Sequence, residues 1–444
     1  MKVTNPNYCA TVVKLPPKQK VEGLDNLVKV TVFGNDCLVS KDEDEYSLYA
    51  FFPAGTVISQ DLLSELSLFR DVALNVEKEK KGFFEPNGRV KAIKFKGVIS
   101  TGFLMPVGQL LWYIGDPRLE EQLKEGVEFN EINGVEICKK YQIKYNNPNE
   151  AKGDKTSRVA NKLINLLVKN QFRFHEETPH LAKNLHKLHP DSHIVITDKW
   201  HGSSFIAAKV LIARKLTLWQ KFINLLGGEI PDKKYGYVYS SGKPKSNLPK
   251  GIEGEWINDN KDYYISNIWK RAFDDIKASL EDGISIYGEL VGFTEGGVYI
   301  QRRYDYGCEP KKYKLVVYRI TYTKPDGNVI EFTWHQVKNY CRKYSLETVK
   351  ELYHGVADDY FLFVPEASQS IEDWREDFSC HISKEIEGEC KHCTNKVPME
   401  GVVLRIEHGG KIEVYKYKSK AFQKHESDEL DKGICDTEEQ ANNS

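Results

Sequence analysis

The sequence predicts an α+β protein in which a small β-rich module precedes a larger one that mixes strands and helices. Three observations predict this. Residues 1–110 carry short strands with apolar–polar alternation, divided by turn residues. Residues 158–425 alternate apolar strand runs with stretches of helical periodicity. Between them, Tyr145 to Asp154 is polar and turn-rich, as a linker is. A chain of 444 residues is long enough for two or three domains, each with its own core. With 40% hydrophobic and 29% charged residues, it falls among ordinary globular proteins. The opening MKVTNPNYCATVVKLPP has no apolar leader core and no run reaches membrane-spanning length, so no membrane partner is expected. A formal net charge of −1 means that any nucleic-acid surface must be a local patch balanced by acid elsewhere. Nine cysteines without a signal peptide point to reduced thiols and a cytoplasmic location.

The elements run in order along the chain. Val28, Val30 and Val32 alternate with polar partners, Gly34-Asn35-Asp36 is the turn, and the strand resumes at Cys37. A second strand from Tyr46 to Phe52 ends at Pro53-Ala54-Gly55. Ser59 is placed as the N-cap of a short helix over Leu62, Leu63 and Leu66. From Arg89 to Phe95 the alternation changes phase, which suggests a bulge or the strong coiling of a small closed barrel. Short strands with one capping helix fit an OB-like barrel over residues 1–110. Its densest basic region, Lys78, Lys80, Lys81, Arg89, Lys91, Lys94 and Lys96, is interleaved with Phe83, Phe84 and Phe95. Cations beside stacking aromatics suit single-stranded nucleic acid, and a solvated barrel face is the equal alternative. Residues 111–157 read as a mixed connecting segment ending in the linker. Helices are expected at about 158–170, 265–280 and 333–344, and the acidic tail 426–444 is expected to be disordered.

The chemistry is concentrated in five places. Lys199 ends the apolar run His193 to Ile196, and Gly202 lets the chain turn back in Lys199-Trp200-His201-Gly202. Alone, this is equally a surface lysine before a hairpin. Four later segments change the reading: SIYGELVGF with Glu289, YKLVVYRI with Tyr318, MEGVVLRI with Glu400, and EVYKYKSK with Lys416 and Lys418. A lysine amine attacks phosphorus only when neutral, and its ordinary pKa is about 10.4. Lys416 and Lys418, two apart on a strand, would share a face, neutralise phosphates and depress the pKa of Lys199. Glu289 and Glu400 at strand rims are hard oxygen donors suited to Mg²⁺ through water. Strand-end glutamates in surface ion pairs are the alternative. Cys380, Cys390 and Cys393, with His381 and His392 nearby, have spacing suited to a structural Zn²⁺, against reduced buried thiols.

Taken in order, these motifs resemble the covalent nucleotidyltransferases, the polynucleotide ligases and mRNA capping enzymes. The chain looks most like the RNA ligases with an extra N-terminal OB domain, and residues 87–106, 304–310 and 395–407 share that likeness. The resemblance covers most of residues 1–425. His201 stands where DNA ligases and capping enzymes mostly carry aspartate, and Ser204 where they often carry arginine; both departures favour an RNA ligase. The resemblance implies an OB-like RNA-binding domain (1–110) and a ligase catalytic domain (158–425), an ATP-grasp-like adenylyltransferase of antiparallel sheets and helices. It implies an ATP-dependent enzyme of RNA repair that joins RNA 3′-hydroxyl and 5′-phosphate ends, those at a nick among them, through lysine–AMP and RNA–adenylate. Lys199, His201, Glu289, Glu400, Lys416 and Lys418 would be catalytic. ATP would be held by Lys199, Gly202, Glu289, Tyr318, Val402, Lys416 and Lys418, with Mg²⁺ or Mn²⁺ at Glu289 and Glu400. A monomer is expected. The alternatives are a DNA ligase or guanylyltransferase, and a catalytically idle RNA-binding protein.

Overall fold

A four-stranded antiparallel sheet organises the N-terminal module in the computed structural model, which describes residues 1–142, 154–242, 248–256, 267–361 and 370–434. Its strands are β1 (Ala10–Lys14), β2 (Leu48–Pro53), β3 (Gly102–Pro106) and β4 (Glu128–Phe129), in the order β3-β2-β1-β4. Alternation gives the sheet two apolar faces. Ala10, Val12, Ala50, Phe52 and Met105 pack against helices α1 (Gln60–Glu65) and α2 (Val107–Ile114) through Leu62, Leu63 and Leu110. Val13, Tyr49, Phe51 and Leu104 pack against the hairpin Leu27–Val32/Asn35–Ser40. That hairpin turns at Phe33-Gly34, both at positive φ, so pairing resumes at Asn35 and not at Cys37. The weakly patterned stretch after residue 111 supplies β4 and fills the first face with Leu119, Leu123, Ile132 and Ile137.

Among the described residues no sheet closes into a barrel. The phase change from Arg89 to Phe95 has a simpler cause than coiling. Only Ile93–Phe95 is strand, paired with Val98–Ser100, whereas Val90 and Ala92 precede it as buried non-strand residues.

The second module holds two mainly antiparallel sheets joined by the chain around Lys199. The smaller contains β5 (His193–Lys199), the larger β6 (Ser203–Ala213), β7 (Lys233–Ser241), β8 (Ile284–Gly292) and β9 (Tyr313–Thr323). The smaller sheet is completed by β10 (Glu351–Val356), β11 (Gly401–His408) and β12 (Lys411–Lys418), in the order β10-β5-β11-β12. Helix α3 (Asp154–Leu166) covers one face of the larger sheet, with Leu163 against Ala208, Val210 and Ile212. The β6–β7 connection carries α4 (Leu218–Leu225), opened by a capping box between Thr217 and Gln220. Helices α5 (Ile268–Ile276) and α6 (Trp334–Tyr344) cover the other face through Trp269, Phe273, Trp334 and Val337. Helix α7 (Ile371–Ile386) lays Trp374, Phe378 and Ile382 on the outer face of the smaller sheet. The linker expected at 145–154 lies almost wholly outside the described residues, and α3 begins at Asp154.

The last helix, α8 (Lys420–Asp431), corrects two expectations. Its end, Glu426 to Asp431, belongs to the stretch expected to be disordered, yet it is helical and buries Ser427; residues 435–444 lie outside the described residues. It is also where the two modules meet. Arg89 donates to the Ser427 carbonyl (3.2 Å) and to the Asp431 carboxylate, and the Ala92 amide donates to Ser427 Oγ (2.9 Å). Lys420 pairs with Asp36 (2.8 Å) and Lys183 with Glu128 (2.9 Å) across the same boundary. Arg89 therefore leaves the expected RNA face: its side chain is 1% exposed. Arg89→Ala should lower Tm by an amount matching about 1–3 kcal/mol, the cost of leaving the buried contact to the Ser427 carbonyl unmade. The exposed Lys94→Ala should stay within about 0.5 kcal/mol. Parallel thermal melts check both.

Candidate active site

The two sheets exchange the chain at Trp200-His201-Gly202, and the candidate side chains Lys199, Glu289, Glu400 and Lys418 gather at that crossing. A Cβ on Gly202 would lie 2.3 Å from the Leu290 carbonyl oxygen and 2.8 Å from Glu289 Cγ, so only glycine lets β5 turn this tightly into β6. The Gly202 amide donates to Glu289 Oε1 (3.1 Å), and its carbonyl accepts from Gln301 Nε2 (2.7 Å). Trp200 stacks on Tyr306 at 4.5 Å between centroids, and the Tyr306 hydroxyl accepts from the His201 amide (2.6 Å). The His201 ring meets Tyr304 and Phe422 edge-on, each at 4.9 Å. Thus Tyr304 and Tyr306, in the 304–310 block, form the back wall of the turn that carries the lysine.

Strand register places the lysines. Lys199 is opposite Gly401, and Gly401 opposite Lys418; one step on, Thr197 is opposite Val403, and Val403 opposite Lys416. Residues two apart share a face, so Lys199, Lys416 and Lys418 all project from the inner face of the smaller sheet. Gly401, at φ +147°, approaches the Tyr417 carbonyl so closely that a Cβ would sit 2.0 Å from it. This tight contact fixes Glu400 beside Lys199. Lys199 Nζ is 2.7 Å from Glu400 Oε1, and Glu400 Oε2 is buried without a hydrogen-bond partner among the described residues. Lys418 pairs with Glu426 of α8 (3.2 Å) and Lys416 with Glu177 (3.3 Å).

These pairings correct the expected electrostatics of Lys199. Burial and the nearby Lys418 pull its ammonium pKa down, but Glu400 outweighs them and the net direction is upward. Burial pushes the Glu400 carboxyl up, yet Lys199, His201 and Lys418 hold it below the usual carboxylate range. The lysine that is depressed is Lys416, lowered to about 8 by burial, with Lys418 and Lys199 adding repulsion against the attraction of Glu177. A buried lysine held below its unfolded value weakens the fold at neutral pH, and that penalty fades as pH rises from about 8 towards about 10.4. Lys416→Met should accordingly raise Tm at pH 7 while cutting end joining at least about 100-fold, the scale of a lost transition-state contact. Thermal melts beside a sealing assay check this.

Register also moves one predicted contact. Val402 shares its face with Asp198 and Tyr417 and is buried against α7 beside Leu404 and Phe378. It points away from the cleft, and Val403 is the valine on the inner face. Tyr318 is re-aimed by a bulge: pairing jumps from Tyr287–Arg319 to Gly288–Val317, leaving Tyr318 as the extra residue.

The zinc reading does not survive. Cys380 is exposed in mid-α7, whereas Cys390 and Cys393 flank the turn Lys391-His392, half-buried and hydrogen-bonded to each other. His392 is engaged by the Asp198 carboxylate on the outer face of β5. Among the described residues no three His, Cys, Asp or Glu side chains gather as a metal-ligand set. Glu400 Oε2, a buried carboxylate oxygen without a partner, together with Glu289 offers the hard oxygen donors that Mg²⁺ or Mn²⁺ takes. Sequence reasoning read His392 only beside the cysteines as a zinc neighbour, and it missed Glu177 and Gln301. Each reaches the site only through tertiary contact, and no motif marks it.

Known proteins share this fold. The profile described as RNA ligase matches residues 192–418, a little more than half of the chain, from the start of β5 to Lys418. No curated protein matches in sequence. Among solved structures, a mutant of the Naegleria gruberi RNA ligase with AMP and Mn superposes with a TM-score of 0.55 at 12% identity, covering 94% of this chain and 99% of that one. The same organism's RNA ligase with PPi gives 0.55 at 12%, covering 94% and 98%. A further mutant of it, with ATP and Mn, gives 0.56 at 13%, again covering 94% and 98%. At that identity the likeness is one of fold, running through both modules. With the family match spanning the crossing, Glu289, Glu400, Lys416 and Lys418, this chain belongs to the RNA ligase family.

Proposed function

We propose that the protein is an ATP-dependent RNA ligase that joins a 3′-hydroxyl to a 5′-phosphate. The observation that carries this is the single row Lys199–Gly401–Lys418, with Lys416 on the same face and Glu400 on the Lys199 ammonium, inside the RNA ligase match. Three cations facing one cleft exceed what a structural ion pair needs and suit a triphosphate. Lys199 Nζ, once deprotonated, attacks the α-phosphorus of ATP; the bond to the β-phosphate breaks, pyrophosphate leaves and Nζ keeps AMP as a phosphoramidate. An RNA 5′-phosphate oxygen then attacks the same phosphorus, breaking the P–N bond and returning the lysine amine. The 3′-hydroxyl finally attacks the RNA 5′-phosphate, and AMP departs as the phosphodiester forms.

Lys418 and Lys416 neutralise phosphate charge, Glu289 braces the Gly202 turn, and Glu400 holds the Lys199 proton until attack. A divalent cation at Glu400 and Glu289 would supply Lewis-acid stabilisation of the phosphates. In this reading the N-terminal module is an OB-like unit that orients RNA. The exposed Lys78, Lys80, Lys81, Lys94 and Lys96 with Phe83 and Phe95 support it, and Arg89 does not take part.

Incubation with α-labelled ATP or GTP and Mg²⁺ or Mn²⁺ tests the proposal, followed by a chase with 5′-phosphorylated RNA at a duplex nick. Label from ATP, acid-labile and released to RNA, is expected. Label from GTP would make it a guanylyltransferase. No label from either would leave an idle RNA-binding protein.

A further inference from the structure

We propose that His175 is a base-specificity residue of the nucleotide site: its Nδ1 accepts a hydrogen bond from the 6-amino group of the adenine that stacks on Tyr318. This rests on the ATP-site reading above and deepens it.

Residues 171–180 precede the family match and bridge the two sheets. At one end Gln171 donates to the Lys324 carbonyl (3.0 Å), and the Arg173 carbonyl accepts from the Tyr287 hydroxyl (3.0 Å), which ties the segment to the larger sheet. At the other end the Pro179 carbonyl accepts from the Lys416 amide (2.9 Å) and Glu177 pairs with Lys416, which ties it to the smaller sheet. His175 sits midway along this strap. Its ring meets Tyr318 edge-on at 5.8 Å and 77°, and Tyr318 is the extra residue of the β8–β9 bulge.

The charge around His175 selects what it can do. Lys199, Lys416 and Arg319 all act on it, and burial together with these cations lowers its pKa to about 3. A neutral imidazole contributes nothing to phosphate binding, and with so low a pKa it cannot hold the proton of Lys199. What it retains is one ring nitrogen as an acceptor. Nδ1 is withdrawn from solvent and has no hydrogen-bond partner among the described residues. An acceptor left unpaired beside an aromatic ring at the nucleotide cleft matches an exocyclic amine on a stacked purine. Adenine presents that amine at position 6, whereas guanine presents a carbonyl oxygen there, which Nδ1 in this tautomer repels.

The test compares ATP with purine riboside triphosphate, which lacks only the 6-amino group. Binding is measured in the Lys199→Ala background, and KM in lysine labelling with Lys199 intact. The Tyr318→Ala control separates the two layers. With His175 present, ATP should be preferred by about tenfold, the scale of one neutral hydrogen bond. His175→Ala should erase that preference with kcat little changed. His175→Asn, whose amide can stand in for Nδ1, should restore it, and that rescue excludes misfolding as the cause. If His175→Ala still prefers ATP as strongly as wild type, the assignment is overturned. If Tyr318→Ala binds both triphosphates as wild type does, the base does not lie on Tyr318, and the stacking reading falls with the role of His175.

Discussion

Lys199→Ala is expected to take no label from α-labelled ATP, yet to join RNA that already carries a 5′-linked AMP. The two outcomes come from the same geometry. The amine is needed only to accept and pass on AMP, whereas the final displacement needs the RNA 5′-phosphate, the 3′-hydroxyl and the charges that hold them. Those charges stand in the variant, because Lys416 and Lys418 come from β12 and keep their own partners, Glu177 and Glu426. A misfolded variant would fail both assays, so retained joining of pre-adenylylated RNA separates loss of the nucleophile from loss of the fold. The competitor for the label is Lys416, whose pKa of about 8 gives it more free amine at neutral pH than Lys199 has. Free amine alone would favour it. Geometry opposes it, because Lys416 is buried and lies a strand step further from the Trp200–Gly202 crossing. Peptide mapping of the wild-type adduct decides the matter, and AMP on Lys416 would move the nucleophile.

Which parts of this site were legible in the sequence depends on how far each residue's cause reaches. The Lys199–Gly202 turn was legible because its requirement is local: the glycine is demanded by the neighbouring backbone within the motif. Lys416 and Lys418 were legible as a same-face pair because a strand's period of two is a property of the chain alone. Val402 and Val403 were not separable, since a one-residue choice of parity flips a side chain between cleft and core, and only the pairing with β5 fixes it. Tyr318 depended on a bulge that the sequence does not announce. Arg89 looked like one more cation in a basic patch, yet its partner Ser427 lies 338 residues away. The tail after Glu426 read as disordered from its acidity, although Ser427 and Asp431 are where the N-terminal module docks. In the N-terminal module, local alternation marked the strands around Val28–Val32 and Leu48–Phe52 but overextended the one ending at Phe95, and closure depends on long-range pairing, which alternation does not encode. Glu177 and His175 carry no motif at all; their meaning comes from the strap that connects the sheets.

Glu400→Gln should slow lysine–AMP formation at neutral pH and move the pH dependence of what remains to lower pH. Two effects oppose each other, and their sizes decide the sign. Glu400 is the main group that raises the Lys199 pKa, with Glu289 adding to it, so removing its charge frees more of the amine at a given pH. Relief of that kind is worth roughly tenfold for each pKa unit recovered. The same change removes the carboxylate whose unpartnered Oε2 is the better candidate for holding a divalent cation, a loss on the order of 100-fold or more. The loss exceeds the gain unless the pKa falls by more than about two units. In the wild type the labelling rate should climb with pH, because the attacking amine appears only as the raised Lys199 pKa is approached. In the glutamine variant the climb should begin earlier from a lower base, while higher concentrations of Mg²⁺ recover part of the rate. Pulse labelling with α-labelled ATP across alkaline pH, at two metal concentrations, reads all three features. An unchanged pH profile would show that Glu400 does not hold the proton of Lys199, and an unchanged rate would remove it from the site. If the profile moves and metal recovers nothing, Glu400 acts on the lysine alone, and the cation belongs with Glu289.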